Sequence, residues 1–90
     1  MNVSSNAAES ALVIVASSDT DVPNRKLEST VHGRAKNSLT LLTTEEIVPS
    51  SAVRVHSKHF LSFGSVVNCT RETEQEWRVY VSVHRSLMVV

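Results

Sequence analysis

The chain has 90 residues, 41% of them apolar, which suffices for one small domain with a core and leaves no room for a second. Nine Lys+Arg balance nine Asp+Glu, and zero net charge excludes the broad electrostatic footprint of a nucleic-acid or anionic-membrane binder. The single cysteine, Cys69, can form neither an internal disulfide nor a thiolate zinc site.

Residues 1–10, MNVSSNAAES, are small and polar, which predicts a disordered segment ahead of one domain over 11–90. The chain as a whole is rich in side chains branched at Cβ, with 15 Val, two Ile and seven Thr, and these favour a pleated strand over a helix. Ala11-Leu12-Val13-Ile14-Val15 is a continuous apolar run that reads as a first strand buried on both faces. The run to Ala16 is too short for a signal sequence or a membrane span, so the cytoplasm is the expected compartment. Ser17 to Lys26, with Asp19, Asp21, Pro23 and Asn24, reads as a loop.

Leu27, Ser29 and Val31 alternate with Glu28 and Thr30, predicting a half-buried second strand ended at Gly33. Asn37 to Thr44 supplies a third, and Glu45 to Ser51 a connection. Val53 and Val55 mark a fourth strand with Arg54 outward, followed by a reversal at His56-Ser57-Lys58. From Phe60 to Cys69 the set Leu61, Phe63, Ser65, Val67 and Cys69 shares one face, and Gly64 on the other permits a bulge. A polar hairpin, Thr70 to Gln75, leads to the strand with the clearest alternation. There Trp77, Val79, Val81 and Val83 take the core face, while Arg78, Tyr80, Ser82 and His84 point out. Leu87 to Val90 is an apolar tail that must pack on the barrel, on a second copy or on a partner, leaving monomer and homodimer both open.

Six strands joined by short polar turns, with no helix for a crossover, must pair antiparallel. An all-β, six-stranded antiparallel β-barrel is the economical closure, because it removes exposed edges.

Catalytic chemistry is sparse. His56 and His59 lie near a turn with no third ligand close in sequence, so they read as exposed turn histidines. Cys69 reads as an inert thiol, and the carboxylates Glu45, Glu46, Glu72, Glu74 and Glu76 as solvated groups in polar connections. Two glycines 31 positions apart, Gly33 and Gly64, cannot form a phosphate loop. Among the aromatics only Tyr80 is expected outward beside a base, Arg78, which argues against a nucleic-acid platform. The expected protein is no enzyme and carries no metal or cofactor.

The run from Val53 through FLSFGSVVNC and a polar hairpin to EWRVYVSV resembles the last three strands of a PilZ domain, and the similarity extends over residues 27 to 85. Upstream, Asn37-Ser38 leading to Pro49-Ser50-Ser51 is similar to that family's segment from its Asp/Asn-x-Ser-x-x-Gly motif into the next strand. The resemblance implies a bacterial signalling barrel and a cyclic di-GMP site built from that motif and an Arg-x-x-x-Arg segment. Both elements are altered here. Arg25 is followed at that spacing by Ser29 and Arg34 by Ser38, and no glycine lies between Gly33 and Gly64. What carries over is Asn37 and Ser38, with Arg25, Lys26 and Arg34 as basic substitutes. The expectation is therefore a noncatalytic interaction module with a protein partner, the alternative being a cyclic di-GMP receptor with an altered site.

Overall fold

A computed structural model describes residues 9–17, 19 and 21–88. Six strands follow in order: β1 Glu9–Val15, β2 Arg25–Ala35, β3 Ser38–Thr43, β4 Ala52–Ser57, β5 Phe60–Arg71 and β6 Trp77–Met88. They form a closed barrel in the order β1-β2-β3-β6-β5-β4, with β4 returning to β1 and every neighbouring pair antiparallel. The all-β antiparallel barrel expected from the alternation is what the chain forms.

Two three-stranded meanders, β1-β2-β3 and β4-β5-β6, build the wall. Strands β3 and β4 lie on opposite sides of it, so their connection must cross one end of the barrel. That crossing delivers Ile47 into the core with no exposed surface, and it is tied down by Ser50 N–H donating to the Val66 carbonyl at 2.7 Å. At Ser50 the backbone takes φ 78°, the left-handed turn that reverses the chain into β4. Among the described residues the connections at the other end are the turns at Lys36-Asn37 and Lys58-His59, which are too short to reach over the axis.

The interior is filled by alternate residues of each strand, among them Val13, Leu41, Val55, Phe60 and Val79, all at most 1% exposed. Strand β6 follows its predicted register, with Val79 and Val81 buried, Val83 packed against the core and Trp77 half-buried at the rim. Its partner is β5, as the hairpin required.

Several expectations are corrected. Strand β1 is buried on both faces except at Leu12: Ala11, Val13 and Val15 enter the core, and on the outer side Ile14 is buried at 9% exposed while Leu12 is 36% exposed. Strand β2 passes through Gly33 on a bulge and ends at Ala35. In β5 the inward set is Phe60, Ser62, Gly64 and Val66, which puts Leu61 and Phe63 outside. A bulge at Val67 then returns Cys69 to the inner side, half-buried against the core. A second bulge occurs beside Gly64, its extra residue being His84 of β6. Glu9 and Ser10, expected in the disordered segment, belong to β1, and residues 1–8 lie outside the described residues. Of the apolar tail, Leu87 and Met88 continue β6, paired to Leu61 and Phe60, and Val89 and Val90 lie outside the described residues.

Candidate partner-binding face

The outward parity of β5 creates a surface that no single strand reveals. Across five strands the register aligns Lys26, Ile14, Arg54, Phe63 and Arg85 in one lateral row. Neighbouring strands lie about 4.8 Å apart, so the row runs roughly 19 Å around the wall. Cationic and apolar side chains alternate along it, and no carboxylate interrupts them. Among the described residues the ion pairs are Arg25–Glu45 and Arg78–Glu72, so Lys26, Arg54 and Arg85 take part in none.

A second outward row lies beside the first, with Glu28, Leu12, His56, Leu61 and Leu87 aligned by the same pairings. Leu12 is 36% exposed and Leu87 45%, and Leu61 is half-buried, so water meets contiguous apolar surface here. Between Leu12 and Leu61 the ring of His56 is half-buried, and its Nε2 is buried with no hydrogen-bond partner among the described residues. A polar atom deprived of water in this way is stabilised by an incoming donor or acceptor. Toward the other end, Ile14, Ala16, Ala52, Phe63 and His84 line a hollow of about 360 Å³. His84 is held over it by a 3.3 Å contact between its Nε2 and the Ser65 hydroxyl.

The residues that the resemblance singled out do not converge. Arg25 stands where β2 begins, its guanidinium bonded to Glu45 Oε1 at 2.9 Å and to the Glu46 carbonyl at 3.3 Å. Arg34, Asn37 and Ser38 lie at the opposite end, where β2 turns into β3. Nine residues of extended chain separate Arg25 from Arg34, a span of roughly 30 Å. Arg34 lies over the Phe60 ring, 4.6 Å from its centroid. The Asn37 carbonyl accepts the Val83 N–H at 2.8 Å, and Ser38 is an exposed strand residue opposite Ser82.

Elsewhere on the outer surface one cation is clamped by a carboxylate. Arg78 donates from Nε and Nη2 to the two carboxylate oxygens of Glu72, at 2.8 and 3.1 Å. These bonds hold the Glu72 carboxyl below the usual carboxylate range and raise the Arg78 guanidinium further above its own. The aromatic expectation is corrected here: Phe63 also faces outward, flanked in register by Arg54 and Arg85. The overlooked signal was the pair Ser62 and Gly64, small residues that tolerate the inside of the wall. Among the described residues no group of three or more His, Cys, Asp or Glu is placed to hold a metal. Among the described residues no helix is long and apolar enough to cross a membrane.

No protein-family model matches the chain, and neither does any curated protein or solved structure.

Proposed function

We propose that the chain is a noncatalytic PilZ-like barrel acting as a protein-interaction module in signalling, and that its outer face on β1, β4, β5 and β6 receives the partner. The alternating row Lys26, Ile14, Arg54, Phe63, Arg85 carries this reading. Apolar side chains supply the affinity and unpaired cations the specificity, so the complementary surface is an acidic, apolar protein segment. A second copy of the chain fits less well, since a twofold contact through this face would bring the two cationic rows together. Nucleic acid fits less well again, because Phe63 is the one aromatic in the row and single-stranded binders stack successive bases.

The test is selection from a displayed random-peptide library on the intact chain, with Arg54→Glu and Phe63→Ser variants as counter-screens. Enriched peptides are expected to combine Asp or Glu with apolar anchors and to bind the variants at least about 30-fold more weakly, a loss near 2 kcal/mol. Enrichment indifferent to both variants refutes the face.

The second reading, a cyclic di-GMP receptor, is favoured by one observation: Arg34, free of any ion pair among the described residues, shares an end of the barrel with Asn37 and Ser38. Arg25 is too distant to complete that site. Calorimetric titration of the chain with cyclic di-GMP is expected to show no saturation at tens of micromolar, roughly. A saturable site below about 10 μM that Arg34→Ala abolishes reverses the ranking.

A further inference from the structure

The barrel end that the short turns leave open is not empty wall. Arg34, Lys36, Leu39, Phe60, Ser62 and Met88 are among the residues that line a cavity of about 360 Å³ there. Its floor is apolar, formed by Leu39, Phe60 and Val83, of which the first two are at most 2% exposed. Its polar groups are almost all donors. Arg34 brings five N–H groups and Lys36 three, and neither belongs to an ion pair among the described residues. The Arg34 guanidinium is held across the mouth by the Phe60 ring on one side and by Met88, whose sulfur lies 4.0 Å from Nη2. Its geometry is therefore set before any ligand arrives.

A second donor lies deeper. The hydroxyls of Ser62 and Ser86 meet at 2.7 Å, and in such a pair only one oxygen donates to the other. One O–H is left without a protein acceptor among the described residues, in a site where Ser62 is 3% exposed. The acidic side chain at this end, Glu9, lines a separate hollow with Val31, His32, Gly33 and Arg34, and forms no ion pair with Arg34.

We infer that this mouth binds a small organic anion with an apolar body, its carboxylate bridging the Arg34 guanidinium and the spare Ser62/Ser86 hydroxyl while its body rests against the exposed Met88 and half-buried Val83. Donors without acceptors select an anion. The apolar floor selects a hydrocarbon or aromatic body over a bare ion, and the volume suits a ligand of about ten heavy atoms. The inference is independent of the partner-binding face, which lies on the outside of the wall.

The test is a titration of the intact chain with benzoate, followed by amide chemical shifts, with benzyl alcohol as the neutral isostere and inorganic phosphate as the bare anion. Benzoate is expected to saturate near or below about 1 mM, with the largest shifts at Arg34, Phe60, Ser62 and Ser86. Benzyl alcohol, phosphate and the Arg34→Gln variant with benzoate are each expected to bind at least about tenfold more weakly. Ser86→Ala serves as a second variant and is expected to weaken benzoate by about threefold or more. Benzoate shifts that do not saturate, that map to the outer face, or that Arg34→Gln and Ser86→Ala leave unchanged overturn the assignment. So does benzyl alcohol or phosphate binding as tightly as benzoate.

Discussion

Two rows of outward side chains circle the same barrel and differ in how they dispose of charge. In the row Ser10, Thr30, Leu42, Arg78, Thr70 the one cation is clamped by Glu72 from the adjoining hairpin. In the row Lys26, Ile14, Arg54, Phe63, Arg85 three cations remain unpaired beside an isoleucine and a phenylalanine. Both rows sit on equally well-packed strands, so folding does not demand the difference. Where a fold satisfies its own charges the surface is finished. Where it leaves cations interleaved with apolar groups, the missing counterpart belongs to another molecule.

Breaking the wall itself should abolish both rows together. Val81 is 2% exposed, and Val81→Asp places a carboxylate in the core at a cost of several kcal/mol, comparable with the whole stability of a domain this size, so the circular-dichroism melt should vanish. Ser82→Asp, one residue along and on the outer side, is expected to change stability by less than about 1 kcal/mol. Gly64 offers a milder version. A Cβ there would run into the Ser82 carbonyl oxygen, so Gly64→Ala is expected to cost roughly 2–3 kcal/mol in denaturant unfolding, whereas Gly33→Ala meets only Thr40 at 3.6 Å and should cost less than about 1 kcal/mol.

The rows can also be separated. Arg54→Glu should reduce binding of a selected acidic, apolar peptide by about 30-fold or more while shifting the melting temperature by only a few degrees, roughly. Arg78→Gln should do the opposite, leaving peptide affinity unchanged and lowering stability slightly. The smallest effect is a pH dependence. Because the folded-state pKa of Glu72 is depressed by Arg78, its contribution is present above the ordinary carboxylate pKa and is lost as pH falls through the depressed value. Glu72→Gln should therefore be less stable than the parent at neutral pH, and the two should converge in acid.

Strand β6 was legible because its alternation runs unbroken from Trp77 to Val83, before the bulge at His84. Strand β5 was not, for a physical reason: its largest apolar residues divide between the faces, and Ser62 and Gly64 occupy core positions that composition assigns to solvent. The bulge at Val67 then reverses the parity, so that Cys69 and Phe63, six residues apart, point to opposite sides. The candidate face lay further out of reach. Lys26, Ile14, Arg54, Phe63 and Arg85 are scattered from position 14 to position 85 of the chain and meet only through four strand registers. The separation of Arg25 from Arg34 had a plainer cause, since they stand near opposite ends of one long strand.

The central claim is that the β1-β4-β5-β6 face binds a protein segment of opposite charge. Chemical-shift mapping of the intact chain with a selected acidic, apolar peptide, at low and high salt, tests it most directly. Shifts should concentrate at Ile14, Arg54, Leu61, Phe63 and Arg85, and affinity should fall at least several-fold, roughly, between 50 and 500 mM salt. Shifts centred on Thr30, Leu42 and Arg78, or an affinity indifferent to salt, would contradict the account.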